Sequence, residues 1–162
     1  MSFEGLGPVA FGGGVSMVTA SLGANDPALG TIKVVGGREY IFVYNAAANS
    51  NIEPGYGAVL ISGATDMSCT VSAVTSADAV MGVCRNATLT TGTYGWLVRR
   101  GITPVVMNAT SGSVSALGLI EIAANGDFSP VSLTTGNLAP ACGKALEAIV
   151  SSASGSAYVS CF

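Results

Sequence analysis

Apolar and polar residues along this chain alternate in short runs cut by turn residues, a pattern of strands and not of helices. Thr31-Ile32-Lys33-Val34-Val35, then Gly36-Gly37, then Arg38-Glu39-Tyr40-Ile41-Phe42-Val43-Tyr44 predicts a hairpin. The glycine pair supplies the positive φ that a two-residue turn needs. Ala46–Asn51 breaks the run. Further β-branched or aromatic runs follow at Ala58–Ser62, Cys69–Val74, Val80–Cys84, Tyr94–Val98, Ile102–Met107, Leu117–Ile122, Ala145–Val150 and Ala157–Phe162. Short strands at this spacing predict an all-β, barrel- or sandwich-like domain of short antiparallel strands. No segment keeps a long 3.6-residue period, and Asn137–Val150 leaves room for one short helix at most.

Ahead of the hairpin the pattern is missing. Residues 1–30 are rich in glycine, almost uncharged and without a sustained period. A disordered tail is polar and charged, whereas this segment carries Phe3, Leu6, Phe11, Val15, Met17 and Val18. It reads as an extended N-terminal arm docked on a neighbouring subunit, with folding back onto its own domain as the alternative. The expected organisation is an arm over 1–30 and a β-barrel-like domain over 31–162. Inside that domain, Pro54–Leu60, Met81–Cys84 and Gly92–Val98 are echoed by Ser111–Leu117, Cys142–Ala145 and Gly155–Val159. The echo outlines a weak internal repeat of 54–100 and 111–162, though so glycine-rich a chain also produces such echoes by chance.

Composition changes the picture in one respect. Charged residues make up 9% of the chain, against roughly 25% in an ordinary domain, while hydrophobic residues make up 49%. A monomer needs charge to stay apart from its neighbours, so this chain is expected to be an assembly subunit whose surface is covered by other protein. Its basic residues, Lys33, Arg38, Arg85, Arg99, Arg100 and Lys144, form no stripe, which argues against nucleic-acid binding. Apolar runs such as Tyr40–Tyr44 fall far short of the about 20 residues of a spanning helix. Met1-Ser2-Phe3-Glu4 does not open a signal peptide. The expectation is a soluble protein with no membrane partner, made in the cytoplasm. Cys69, Cys84, Cys142 and Cys161 form no CxxC, and free, buried thiols are expected.

Candidate chemistry is sparse. The chain has no histidine, which removes Ser-His-Asp, Cys-His and HExxH arrangements. Glu121 and Asp127 are near neighbours, but Asn125-Gly126-Asp127 is a hairpin-turn signature. No DxDxDG calcium loop is present, and Gly12-Gly13-Gly14-Val15-Ser16 lacks the GK[ST] ending of a phosphate loop. The sequons at Asn86-Ala87-Thr88 and Asn108-Ala109-Thr110 read as incidental. No enzyme activity, cofactor or metal is expected. Alternation puts Tyr94 and Trp96 on one strand face and Leu97 on the other, so Trp96 anchors the core, fills a subunit contact or stacks on a sugar. Arg99 and Arg100 directly follow, placed to pair with acidic groups of a partner. The candidate interface with a sister subunit or another protein is thus Phe3, Leu6, Phe11, Met17, Tyr94, Trp96, Arg99 and Arg100.

Three blocks carry a resemblance: Gly82-Val83-Cys84-Arg85-Asn86-Ala87-Thr88, Gly92-Thr93-Tyr94-Gly95-Trp96-Leu97-Val98 and Gly101-Ile102-Thr103-Pro104-Val105-Val106. With Cys142-Gly143-Lys144-Ala145-Leu146-Glu147-Ala148 and Gly155-Ser156-Ala157-Tyr158-Val159, their order over 54–162 resembles the capsid decoration, or cement, proteins of tailed bacteriophages. The resemblance implies a structural protein of the virion, on the capsid surface, that binds the major capsid protein as a homotrimer and bridges neighbouring capsid subunits. The longer N-terminal region departs from the simpler members and leaves a phage head-fibre base as one alternative; Tyr94 and Trp96 leave another, a carbohydrate- or receptor-binding module on the virion surface.

Overall fold

The computed structural model describes residues 18–23, 26–46, 50–61, 67–71, 79–131 and 141–161. Among them eleven strands form one continuous sheet. In chain order these are β1 (Val18–Thr19), β2 (Ile32–Val35), β3 (Arg38–Asn45), β4 (Gly57–Leu60), β5 (Ser68–Thr70), β6 (Val80–Val83), β7 (Tyr94–Val106), β8 (Leu119–Ile122), β9 (Phe128–Pro130), β10 (Gly143–Ala145) and β11 (Ser154–Ser160). The protein is all-β and built from closed barrels, as the alternation predicts. No helix among the described residues is long and apolar enough to cross a membrane.

β2 and β3 form the expected hairpin, paired from Ile32↔Ile41 to Val35↔Arg38. Gly36 (φ 57) and Gly37 (φ 76) supply its turn; side chains with a Cβ would be strained at both. β3 then pairs in parallel with β5, and the order β3-β5-β4-β6-β7 closes because β7 returns to β3. Alternate residues of these strands point inward. Ile41 and Val43, Ala58, Cys69, Met81 and Leu97 meet inside this first barrel, and Ile52, Cys84 and Leu89 complete its filling.

β7 runs for 13 residues and belongs to two barrels. The sequence predicts separate strands over Tyr94–Val98 and Ile102–Met107. In the structure the strand continues through Arg99–Gly101, with a register shift opposite Glu39 and Tyr40 and Gly101 at φ 121, because Arg100 pairs with Glu39 of β3 on one side and Ser160 of β11 on the other. Backbone pairing therefore overrides the local break in hydrophobic alternation. The second half of β7 pairs with β11, β11 with β10, β10 with β8 and β8 with β9. A parallel bridge from Met107 to Phe128 brings β9 back to β7 and closes a second ring.

The second ring repeats the connectivity of the first. Its opening strand is the second half of β7, in the role of β3, and β8 to β11 take the roles of β4 to β7. The hydrogen bonds repeat as well. The Ile52–Leu89 bridge recurs as Val114–Ile149. Asn45 N–H donates to Thr93 C=O, and Met107 N–H to Ala153 C=O; Gly55 N–H donates to Cys84 C=O, and Leu117 N–H to Ala145 C=O. Inward positions correspond too, with Thr103, Ile120 and Ala157 buried where Ile41, Ala58 and Leu97 stand in the first barrel. The described strands from β3 to β11 thus form two five-stranded rings of the same connectivity that share β7, the second closed by a single bridge.

Other expectations shift in detail. β10 covers Gly143–Ala145, not Ala145–Val150, and the described part of Asn137–Val150 contains no helix. Close packing explains the position of β10: a Cβ on Gly143 would lie 2.8 Å from Tyr158 O, so β10 and β11 approach more closely than a larger residue permits. The turn at Asn125-Gly126 appears as a three-residue 3-10 loop, Ala124–Gly126, with Asn125 at φ 66. β9, too short and too near Pro130 to stand out in the sequence, follows it. β1 pairs Val18 with Gly95 and Thr19 with Tyr94, so these two leader residues lie on their own domain. Residues 1–17, which include Phe3, Leu6, Phe11 and Met17, are outside the described residues.

Candidate interaction surface

The outward face of the first barrel is aromatic and is itself a core. Tyr40, Phe42 and Tyr44 of β3 oppose Val98, Trp96 and Tyr94 of β7. Phe42 and Trp96 rings sit 5.1 Å apart and Tyr44 and Tyr94 rings 4.7 Å apart, distances of favourable aromatic pairs. Residues of this face join Val105, Met107, Ile122 and Phe128 of the second barrel in one continuous hydrophobic cluster. Two glycines make the contact close. A Cβ on Gly57 would lie 2.5 Å from Ile122 Cδ1, and one on Gly55 would lie 2.7 Å from Val106 Cγ2.

This arrangement fixes the roles of the expected interface residues. Trp96 is 5% exposed, so its indole anchors the chain's own core and offers almost no surface to a partner or a sugar. Tyr94 is half-buried at the rim of the same cluster. Arg99 pairs with Glu39 inside the chain at 3.0 Å, both side chains partly exposed. Such a pair contributes under about 1 kcal/mol and is already satisfied without a partner. Arg100 is exposed, and its Nε donates to Tyr158 Oη at 3.0 Å.

The corresponding face of the second barrel is open. Ile102, Tyr158, Lys144 and Leu119 form a row across β7, β11, β10 and β8, each paired with the next. Ile102 is 48%, Tyr158 38% and Leu119 49% exposed. Leu119 stands between two shallow depressions of about 310 and 240 Å³; Val114, Pro130 and Val131 line the first, and Ala141, Gly143 and Tyr158 the second. Beside it Leu117 is 62% exposed and holds φ at 67, a left-handed conformation that is uncommon for leucine. Sequence reading missed these residues. The available signal was an apolar side chain at the outward position of a strand whose inward position is apolar too, as at Leu119-Ile120.

Reactive chemistry is muted. All four cysteines are free and buried, as the sequence suggests. Burial pushes the Cys69 and Cys161 thiols up to about 12 and Cys84 to about 11, and raises Cys142 as well, so none presents a thiolate nucleophile at neutral pH. Desolvation also raises the Asp127 carboxyl, offset in part by Asn108 Nδ2, which donates to its Oδ2 at 2.8 Å. Among the described residues no group of three or more His, Cys, Asp or Glu could hold a metal ion.

No family model matches the chain, and neither does any curated protein. A solved structure does: the crystal structure of the head fiber gp8.5 N base in bacteriophage phi29, at a TM-score of 0.51 and 10% sequence identity. The match covers 75% of this chain and 92% of that one. At that identity the likeness is one of fold alone.

Proposed function

We propose that this chain is a structural protein of a tailed-phage virion, seated on the outside of the head and bound to the major capsid protein, where it stabilises the shell by bridging neighbouring capsid subunits. The observation that carries the reading is the fold shared with a phage head fiber base over most of both chains. The shortage of charge supports it, since a surface this poor in charge is suited to being covered by other protein. Bridging would add buried apolar area across subunit boundaries at about 25 cal/mol per Å² before association costs. The proposal assigns no catalysis and no cofactor.

The same neighbour favours a second reading, a head-fibre base, because a fiber base is what that structure is. Purified protein mixed with genome-free phage heads that lack it separates the outcomes. A bridging protein saturates the heads at a fixed copy number, appears as repeated density over the lattice and raises the temperature at which the shell opens. A fibre base saturates at isolated positions and leaves that temperature unchanged. Protein that stays in the supernatant when the heads are pelleted refutes both.

A further inference from the structure

The two barrels have matching outer faces, and they are treated differently. In the first barrel the row Tyr40, Val98, Val83, Gly57 is buried against the second barrel. In the second barrel the equivalent row, Ile102, Tyr158, Lys144, Leu119, is exposed. The substitutions along it are directed. Gly55 and Gly57, where the second barrel approaches most closely, are replaced at equivalent positions by Leu117 and Leu119, which project outward. Leu117 does so from a left-handed backbone that its equivalent Gly55 shares (φ 67 and 87), so a leucine stands where the turn favours glycine. A face that admits its neighbour through gaps in one copy carries knobs in the other.

Knobs need a receiving groove, and the other end of the chain has one. Beside the first barrel lies a depression of about 320 Å³ lined by Ile32, Ile41, Leu60, Met67, Val80 and Met81. Leu60 is the first-barrel equivalent of Ile122, the residue that reaches Gly57 in the contact within the chain. Among the described residues, the surface that receives and the surface that projects are therefore both present on one molecule and different from each other.

We propose that the outer face of the second barrel docks on a second copy of this chain, with Leu117 and Leu119 entering the Met67 groove of that copy's first barrel, so that copies join head to tail. The contact extends, between molecules, the packing that joins the two barrels within one. It is heterologous, since two different patches meet, and such contacts build rings or filaments instead of two-fold dimers. The inference does not rest on the phage-head reading, because it requires no capsid.

The test uses the full chain. Wild-type protein is expected to sediment as an oligomer, and Leu119→Asp as a monomer with an unchanged circular dichroism spectrum and melting transition. Single-cysteine additions fix the geometry. Leu119→Cys mixed with Met67→Cys should give a covalent dimer on oxidation, while each alone should give none. A wild-type chain that stays monomeric at the highest soluble concentration overturns the proposal. So does a Leu119→Cys chain that crosslinks to itself, which would mean a two-fold contact. A monomer whose Leu119→Asp variant loses head binding would assign the face to the capsid protein and overturn it equally.

Discussion

Gly57→Ala tests the contact between the barrels directly. Gly57 lies in an extended strand where alanine is allowed, and alanine there would by itself stabilise the chain by about 0.4–1 kcal/mol through the unfolded state. The space decides the sign. The added methyl would lie 2.5 Å from Ile122 Cδ1, 2.7 Å from Ile122 Cγ1 and 3.1 Å from Phe128 Cζ, and both residues are buried. Forcing them aside costs about 1–3 kcal/mol, so the net loss is about 0.5–2 kcal/mol. At about 2–4 °C per kcal/mol for a chain of this size, the melting point should fall by several degrees. Shortening the neighbour provides the control. Ile122→Ala alone should cost about 2–5 kcal/mol by leaving a cavity, and the double variant should cost less than the sum of the two, with a coupling of at least about 0.5 kcal/mol. Urea unfolding of the four proteins gives the cycle. Additive costs, or a Gly57→Ala chain as stable as wild type, would refute the close packing of the two barrels.

The remaining expectations follow the same comparison of barrel with barrel. Thr103 is buried where the first barrel has Ile41, and its hydroxyl has no partner among the described residues; Thr103→Val should raise stability by about 1 kcal/mol in urea unfolding. Leu117→Gly should relieve a left-handed conformation worth about 1–2 kcal/mol, offset by about 0.4–1 kcal/mol of chain entropy, and raise the melting point slightly while weakening self-association. The buried thiols should resist Ellman's reagent in the native chain and all react in denaturant. Because Cys69, Cys84 and Cys161 titrate higher folded than at the usual 9.0, their contribution to stability holds below about pH 9 and is lost as pH rises toward 11–12; a melting point that climbs over that window would contradict their burial.

Much of the fold was legible where local chemistry and tertiary pairing agree. The Gly36-Gly37 turn, the inward and outward alternation of Tyr94, Trp96 and Leu97, and the apolar setting of the cysteines are all written in neighbouring residues. β7 was not, because Arg99-Arg100-Gly101 breaks the hydrophobic pattern and is held in the strand only by partners distant in sequence. The likeness of the two rings was barely legible: the echo of Pro54–Leu60 at Ser111–Leu117 differs from the structural correspondence, which sets Gly57 against Leu119. The interiors use different residues for the same position, as at Ile41 and Thr103 or Leu97 and Ala157, so the backbone pairing repeats while the side chains do not. The exposed face was illegible for a simpler reason. An outward Leu119 looks in sequence like any strand leucine, and only the closure of the second barrel around Ile120 turns it to the solvent.

The most direct measurement of the central claim is quantitative binding to phage heads: purified protein titrated onto genome-free heads that lack it, with bound and free protein separated by sedimentation and the decorated heads imaged. The proposed function predicts saturation at a fixed copy number per head, with two-barrel density on the outer surface across capsid subunit boundaries. Protein that remains unbound at every concentration, or density found elsewhere on the virion, would contradict it.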